Sequence, residues 1–209
     1  MKKQAQSKHC FHYGIVLRSY APYQQKLVLL DRSCGMIDAF FFQRKMMGRI
    51  THGMLLRYTL REERGRHRLD DIVVLACPVA WVKDDIFFLH HVLELAHNFL
   101  SYHQAVGEVF DLFMRLYKPL SVTKNSFFKK CFLCKFFLLL GIYPNDETLF
   151  SSELFHLISG CIDTMVKSQS DFLDDAKISH WLQGCIAVHP AADCFKTTIF
   201  LTQMDNHEV

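Results

Sequence analysis

The 209-residue chain lacks any apolar run of the ~18 residues needed to cross a bilayer. Its longest candidate, Cys131 to Leu140, is interrupted by Lys135. The N-terminal stretch MKKQAQSKHC is basic, but no apolar signal core follows it. The expectation is a cytoplasmic protein with no membrane partner. Catalytic signatures are missing as well: there is no G-x-S-x-G, no P-loop and no G-x-G-x-x-G. Of twelve histidines, His90, His91 and His97 share one helical segment, yet no carboxylate joins them at the spacing of H-E-x-x-H. Nothing here argues for an enzyme. Internal repeats and low-complexity segments are absent too.

Paired cysteines are also lacking. Eight cysteines are scattered at 10, 34, 77, 131, 134, 161, 185 and 194, and a reduced cytosolic chain keeps such residues as small hydrophobes. Cys131 and Cys134 have the spacing of half a zinc site, but they sit three apart on the apolar face of a predicted helix. They read as core. Cys161, Cys185 and Cys194 are too dispersed to complete a tetrahedral set. No metal and no cofactor is expected.

What the chain does have is apolar mass and uneven charge. Half of it is hydrophobic, enough for a packed core. Residues 1–80 carry 14 Lys and Arg against 6 Asp and Glu, a net +8, while 81–209 carry 10 against 15, a net −5. A basic first half suggests a polyanionic partner, with plain solubility charge as the alternative.

Short strands fill that first half. Tyr13, Ile15 and Leu17 alternate with Gly14, Val16 and Arg18, the period of a half-buried strand. Ala21-Pro22 breaks the run, and Lys26 to Leu30 resumes it. Asp31-Arg32-Ser33-Cys34-Gly35 is a turn that Gly35 can close at positive φ. Met36 to Phe42 follows. Met54, Leu56, Tyr58 and Leu60 share one face of a fourth strand, Glu62 to Arg68 reads as a hairpin tip, and Leu69 to Cys77 is a fifth strand. Residues 1–11 read as a basic arm. Five such strands predict an OB-type barrel, a fold whose open face commonly takes single-stranded nucleic acid.

Beyond Pro78 the period changes. Asp84 or Asp85 can cap a helix carrying Ile86, Leu89, Leu93, Ala96 and Leu100 on one face. Val106 to Leu116 forms the next, stopped before Pro119. Phe128 to Leu139 forms a third, capped by Gly141. A fourth opens at Ser151 or Ser152 and a fifth at Ser170, running through Trp181. Within the last stretch, His189 to Met204, the segment Lys196 to Leu201 reads as either helix or strand. The predicted fold class is α+β, with an N-terminal OB-fold barrel over 1–80 and a helical domain over 81–209.

Several segments carry a family likeness. Gly14-Ile15-Val16-Leu17-Arg18, Lys26-Leu27-Val28-Leu29-Leu30 and Cys34-Gly35-Met36-Ile37 are similar to the opening strands of the bacterial RecO recombination-mediator family. Phe87 to Leu100, with Glu94-Leu95 in its apolar stripe, resembles that family's first C-terminal helix. Phe128 to Pro144 resembles a helix ending in L-L-G-Y-x-P, here Leu139-Leu140-Gly141-Ile142-Tyr143-Pro144 with one extra residue before the Tyr. The closing segment around His189, Phe195-Lys196-Thr197-Thr198 and Leu201 is similar as well. The resemblance spans nearly the whole chain in order. It implies a non-enzymatic DNA repair and recombination mediator. Such a protein binds single-stranded DNA, anneals complementary strands and loads recombinase with RecR on DNA coated by single-stranded DNA-binding protein.

Site expectations follow. Arg18, Lys26, Arg44, Lys45, Arg49, Arg57, Arg61 and Arg66, with Arg64 and Arg68, are the candidate phosphate contacts. Tyr20, Tyr23, Phe41 and Tyr58 are candidate stacking platforms, with barrel core as the alternative. The family's longer basic loop after the third strand is reduced here to Gln43-Arg44-Lys45 and Arg49. The resemblance also implies a pocket in the helical domain for the acidic C-terminal tail of single-stranded DNA-binding protein. Arg115, Lys129 and above all Lys130 are the candidates for it, against simple snorkelling over the core. Two rivals stand beside the mediator: a protein-interaction adaptor whose barrel does not bind DNA, and a zinc-dependent nucleic-acid protein.

Overall fold

The computed structural model describes residues 10–20, 25–46, 48–118, 126–144 and 175–197. The arm over 1–9, Tyr23, the helix expected from Ser151 or Ser152 and the start of the one expected at Ser170 lie outside these residues.

Five strands form in the first half: β1 (Phe11–Ser19), β2 (Lys26–Asp31), β3 (Gly35–Phe41), β4 (Leu55–Glu63) and β5 (Arg66–Ala76). They close into a barrel in the order β1-β2-β3-β5-β4, with β4 returning to β1. The β3–β5 pairing is parallel and the others are antiparallel. Closure leaves no strand edge open for pairing. Val16, Leu27, Leu29, Ile37, Ala39, Phe41, Leu56, Tyr58 and Leu69 fill the interior, with Met54 and Leu60 packed against them. The face expected on β4 is therefore the face that points inward. The simple alternation expected of β1 is not seen, because Ile15, Val16 and Leu17 are all buried.

Two turns fix the register. Between β4 and β5 the reversal takes just Arg64 and Gly65, both at positive φ as mirror-image hairpin turns require. Arg66 pairs with Glu63 and Arg68 with Arg61, so the residues expected at a hairpin tip are mostly ladder. Between β2 and β3, Asp31 Oδ1 accepts the backbone N–H groups of Ser33 (2.7 Å) and Cys34 (2.8 Å), and Gly35 closes the turn at φ +75°. A Cβ on Gly35 would lie 1.9 Å from the Gln104 carbonyl oxygen, so glycine is needed there for space as well as for conformation.

Asp31 is also the polar centre of the barrel. Its buried carboxylate accepts the Tyr58 hydroxyl at 2.6 Å through Oδ2, and His12 Nδ1 lies 3.1 Å from the same oxygen. Gly14 leaves room for Tyr58, whose hydroxyl would stand 2.7 Å from a Cβ at that position. Burial, then the neighbouring Asp31 charge, push the Tyr58 phenol well above its ordinary range, so it remains a hydrogen-bond donor.

Helices follow Pro78: α1 (Val79–Asp84), α2 (Ile86–Phe99), α3 (Gly107–Phe113), α4 (Ser126–Leu139) and α5 (Asp175–Ala187). α1 was not foreseen. Asp85 caps α2, its Oδ1 accepting the Phe88 N–H at 2.9 Å. α3 tightens into a 3₁₀ turn over Met114–Tyr117, ahead of Pro119. At the end of α4 the Ile142 N–H reaches the Phe137 carbonyl and the Gly141 N–H reaches that of Leu138, the paired bonds of a glycine-closed helix end. Trp81, Phe88, Phe113, Phe132, Phe136 and Trp181 lie in the core of the helical part.

The chain divides into two compact units, one of 1–78 with 100–110 and the other of 79–99 with 111–209. The stretch 100–110 groups with the barrel. The His103 N–H donates to the Met36 carbonyl at 2.9 Å, and Tyr102 forms an isolated bridge with Met36.

Candidate nucleic-acid interface

A row of side chains crosses four strands on the outside of the barrel. Lys26 on β2 lies opposite Phe40 on β3, Phe40 opposite Arg68 on β5, and Arg68 opposite Arg61 on β4. Directly opposed residues share a face. The residues next to them along the strands, Leu27, Ala39, Phe41 and Leu69, point into the core. Three inter-strand steps of about 4.8 Å carry the row across roughly 14 Å of barrel wall.

Aromatic faces are interleaved with these cations. The Arg18 guanidinium stands 5.0 Å and the Lys26 ammonium 5.3 Å from the centre of the Tyr20 ring. Arg66 stands 5.7 Å from Phe40, and Arg68 5.3 Å from Phe42. Phe42, one residue past β3, is 61% exposed. A cation over a ring face keeps its charge and can still meet an anion from its other side.

Carboxylates offset part of this charge. Lys26 pairs with Asp38 at 2.7 Å, Arg61 with Asp70 at 3.3 Å, and Arg68 with Asp70 and Glu63, each at 3.2 Å. The Asp38 hydrogen bond raises the Lys26 pKa despite partial burial, so the ammonium stays charged. Partly exposed pairs of this kind are worth about 1 kcal/mol or less, so a phosphate can exchange for the carboxylate. Arg18 and Arg66 have no carboxylate within ion-pair distance among the described residues.

The predicted cations do not all converge. Arg18, Lys26, Arg61 and Arg66 join the row or its rim, together with Arg68. Arg57 does not. It lies between Tyr13 on β1 and Val73 on β5, four residues and about 13 Å along β4 from Arg61, and stacks on Phe11 at 4.8 Å. Phe11 (49%) and Tyr13 (43%) are exposed beside it, forming a second, smaller patch. Lys45 and Arg49 are exposed in the segment linking β3 to β4, and Arg64 at the β4–β5 turn; the side chain of Arg44 lies outside the described set.

Of the predicted platforms, Tyr20 stands at the row, whereas Phe41 and Tyr58 are buried inside the barrel and cannot meet a base. The aromatic rings that stand with Tyr20 among these cations are Phe40 and Phe42. Strand alternation around Phe41 was the signal that could have found them.

The basic residues expected to hold an acidic tail fare less well. Lys130 has 0% exposure inside the helical core, so it presents no charge at a pocket rim. Helix α4 is buried around most of its circumference, which encloses Lys130 with its neighbours Cys131 and Phe132. Lys129 is ion-paired with Asp85, the capping residue of α2. Arg115 is half-buried in the 3₁₀ turn. Cys131 and Cys134 are buried core residues, and burial lifts the Cys134 thiol well above its usual range.

No protein-family model matches this chain, and no curated protein matches its sequence.

Proposed function

We propose that the barrel is an OB-type module that binds single-stranded DNA, and that the chain acts as a RecO-like recombination mediator. The observation that carries this reading is the cross-strand row Lys26–Phe40–Arg68–Arg61, bordered by Arg18, Tyr20, Arg66 and Phe42. Cations spaced between aromatic faces supply what an unpaired strand needs, phosphate neutralisation and stacking surfaces for bases. The strand order, with its parallel β3–β5 closure, supports the OB reading, since that fold takes oligonucleotides across strands 2 and 3 and the loops beside them.

The mechanism is electrostatic and requires no nucleotide or covalent step. Neutralised strands repel one another less and can pair, which is annealing; recombinase loading with RecR extends the same reading. The acidic tail of single-stranded DNA-binding protein is better served by exposed residues of the helical unit than by Lys130. Val79, Val82, Ile86 and Phe87 offer apolar contact and Lys83 an exposed cation.

Fluorescence anisotropy with a labelled single-stranded oligonucleotide tests the binding step. Engagement of the row's Lys26, Arg68 and Arg61 with the bordering Arg18 and Arg66 predicts that log affinity falls against log salt with a slope of about −3.5, from ~0.7 per phosphate contact on single strands. An adaptor with an inert barrel shows no oligonucleotide binding even at low salt.

A further inference from the structure

The barrel carries a second cluster, distant from the row's chemistry. One ring nitrogen of His12, an Asp31 carboxylate oxygen and Cys34 Sγ all lie within 4.8 Å of one another. Among the described residues no other group of three His, Cys, Asp or Glu side chains converges in this way. The three come from the start of β1 and the β2–β3 turn, positions whose sequence spacing gives no hint of a site. We propose that His12, Asp31 and Cys34 form a Zn²⁺ site that pins the β2–β3 turn to β1, with a fourth position left for water or an exogenous ligand.

The donor set points to zinc. A thiolate, an imidazole and a carboxylate suit a borderline-soft ion, whereas Mg²⁺ and Ca²⁺ require oxygen ligands throughout. Zinc with bonds of about 2.0–2.3 Å needs donors roughly 3.3–3.8 Å apart, so the ligand atoms must draw in by about 1.5 Å at most. His12 and Asp31 are already 3.1 Å apart. Charge balances as well: one carboxylate and one thiolate offset a divalent ion.

The surroundings hold the ligands in place. Asp31 is oriented by two backbone N–H groups and by Tyr58. Cys34 is fixed because its own N–H is one of those donors, and the Arg32 N–H donates to the Tyr13 carbonyl at 3.0 Å, tying the turn to β1. Such outer contacts preorganise a metal site. Without a cation, burial and then the Asp31 charge raise the Cys34 thiol above its ordinary value. Zinc would take the Cys34 thiolate, with the thiol proton released to solvent.

The test uses the full chain, stripped with chelator and titrated with Zn²⁺ against a chromophoric competitor, then with Co²⁺ as a spectroscopic probe. One equivalent should bind, and Co²⁺ should show thiolate-to-metal charge transfer. Cys34→Ser should abolish that band, and His12→Gln should weaken binding by more than 100-fold. Tyr58→Phe, an outer contact, should weaken it about 10- to 100-fold. Circular dichroism checks that each variant is folded; should Cys34→Ser not fold, thiol alkylation of the stripped chain, blocked by prior Zn²⁺, is read at Cys34 by mass spectrometry. Absence of stoichiometric binding overturns the proposal. So does binding that survives Cys34→Ser but is lost in Cys131→Ser with Cys134→Ser.

Discussion

Replacing Asp31 by alanine is expected to remove about 3–5 kcal/mol from the stability of the barrel unit. The carboxylate is fully buried and accepts from the Tyr58 hydroxyl and from two turn N–H groups, with His12 at hydrogen-bond distance. Alanine leaves each donor without its partner, and stranding a buried polar group costs about 1–3 kcal/mol. The loss is a large share of the 5–15 kcal/mol that a domain commonly holds. Asp31→Asn should fall between the two, because its side-chain oxygen can still accept the turn N–H groups while its amide faces Tyr58 and His12 without the charge. Urea unfolding followed by near-ultraviolet circular dichroism measures the difference. A loss below about 1 kcal/mol for Asp31→Ala would show that the turn is held elsewhere.

Removing three cations from the row and its border should have the largest effect on nucleic-acid binding. With Arg18, Arg66 and Arg68 all changed to alanine, the salt slope should become shallower by about 2, and affinity at 0.1 M salt should fall roughly 100-fold, since each single-strand phosphate contact contributes about 0.7 to the slope. All three are ladder or ladder-adjacent surface positions whose side chains leave the barrel core untouched, so the fold should persist. Lys83→Ala with Lys177→Ala, exposed positions on the helical unit, serves as the control and should change affinity less than twofold. Equal losses from both sets would mean that charge acts without regard to place.

Much of the barrel was legible in the sequence. Short apolar runs bounded by turn residues located the five strands, alternation gave the inward face of β4 but not of β1, and turn chemistry located Gly35, because these are local properties. The segment 100–110 was misread because its grouping with the barrel is set by a backbone contact at Met36, a long-range event that no periodicity encodes. Lys130 was misread for a related reason. Helix α4 is apolar on nearly every side, so a face-based reading had no polar side on which to place its lysines. At the interface the cations were visible as charge excess, but their grouping was not. Register alone puts Lys26, Phe40, Arg68 and Arg61 in one row and sends Arg57 to another patch. The His12–Asp31–Cys34 cluster was hidden in the same way, since strand pairing brings together residues that share no motif.

That an unpaired strand lies along Tyr20, Phe40 and Phe42 is most directly tested by photocrosslinking. A single-stranded oligonucleotide bearing 5-bromodeoxyuridine is irradiated on the full chain, and the adducts are mapped by mass spectrometry. Adducts on Phe40, Phe42 or Tyr20, suppressed by excess unlabelled strand and by high salt, are the expected result. Adducts confined to the helical unit, or to Phe11 and Tyr13 beside Arg57, would place the strand elsewhere and contradict it.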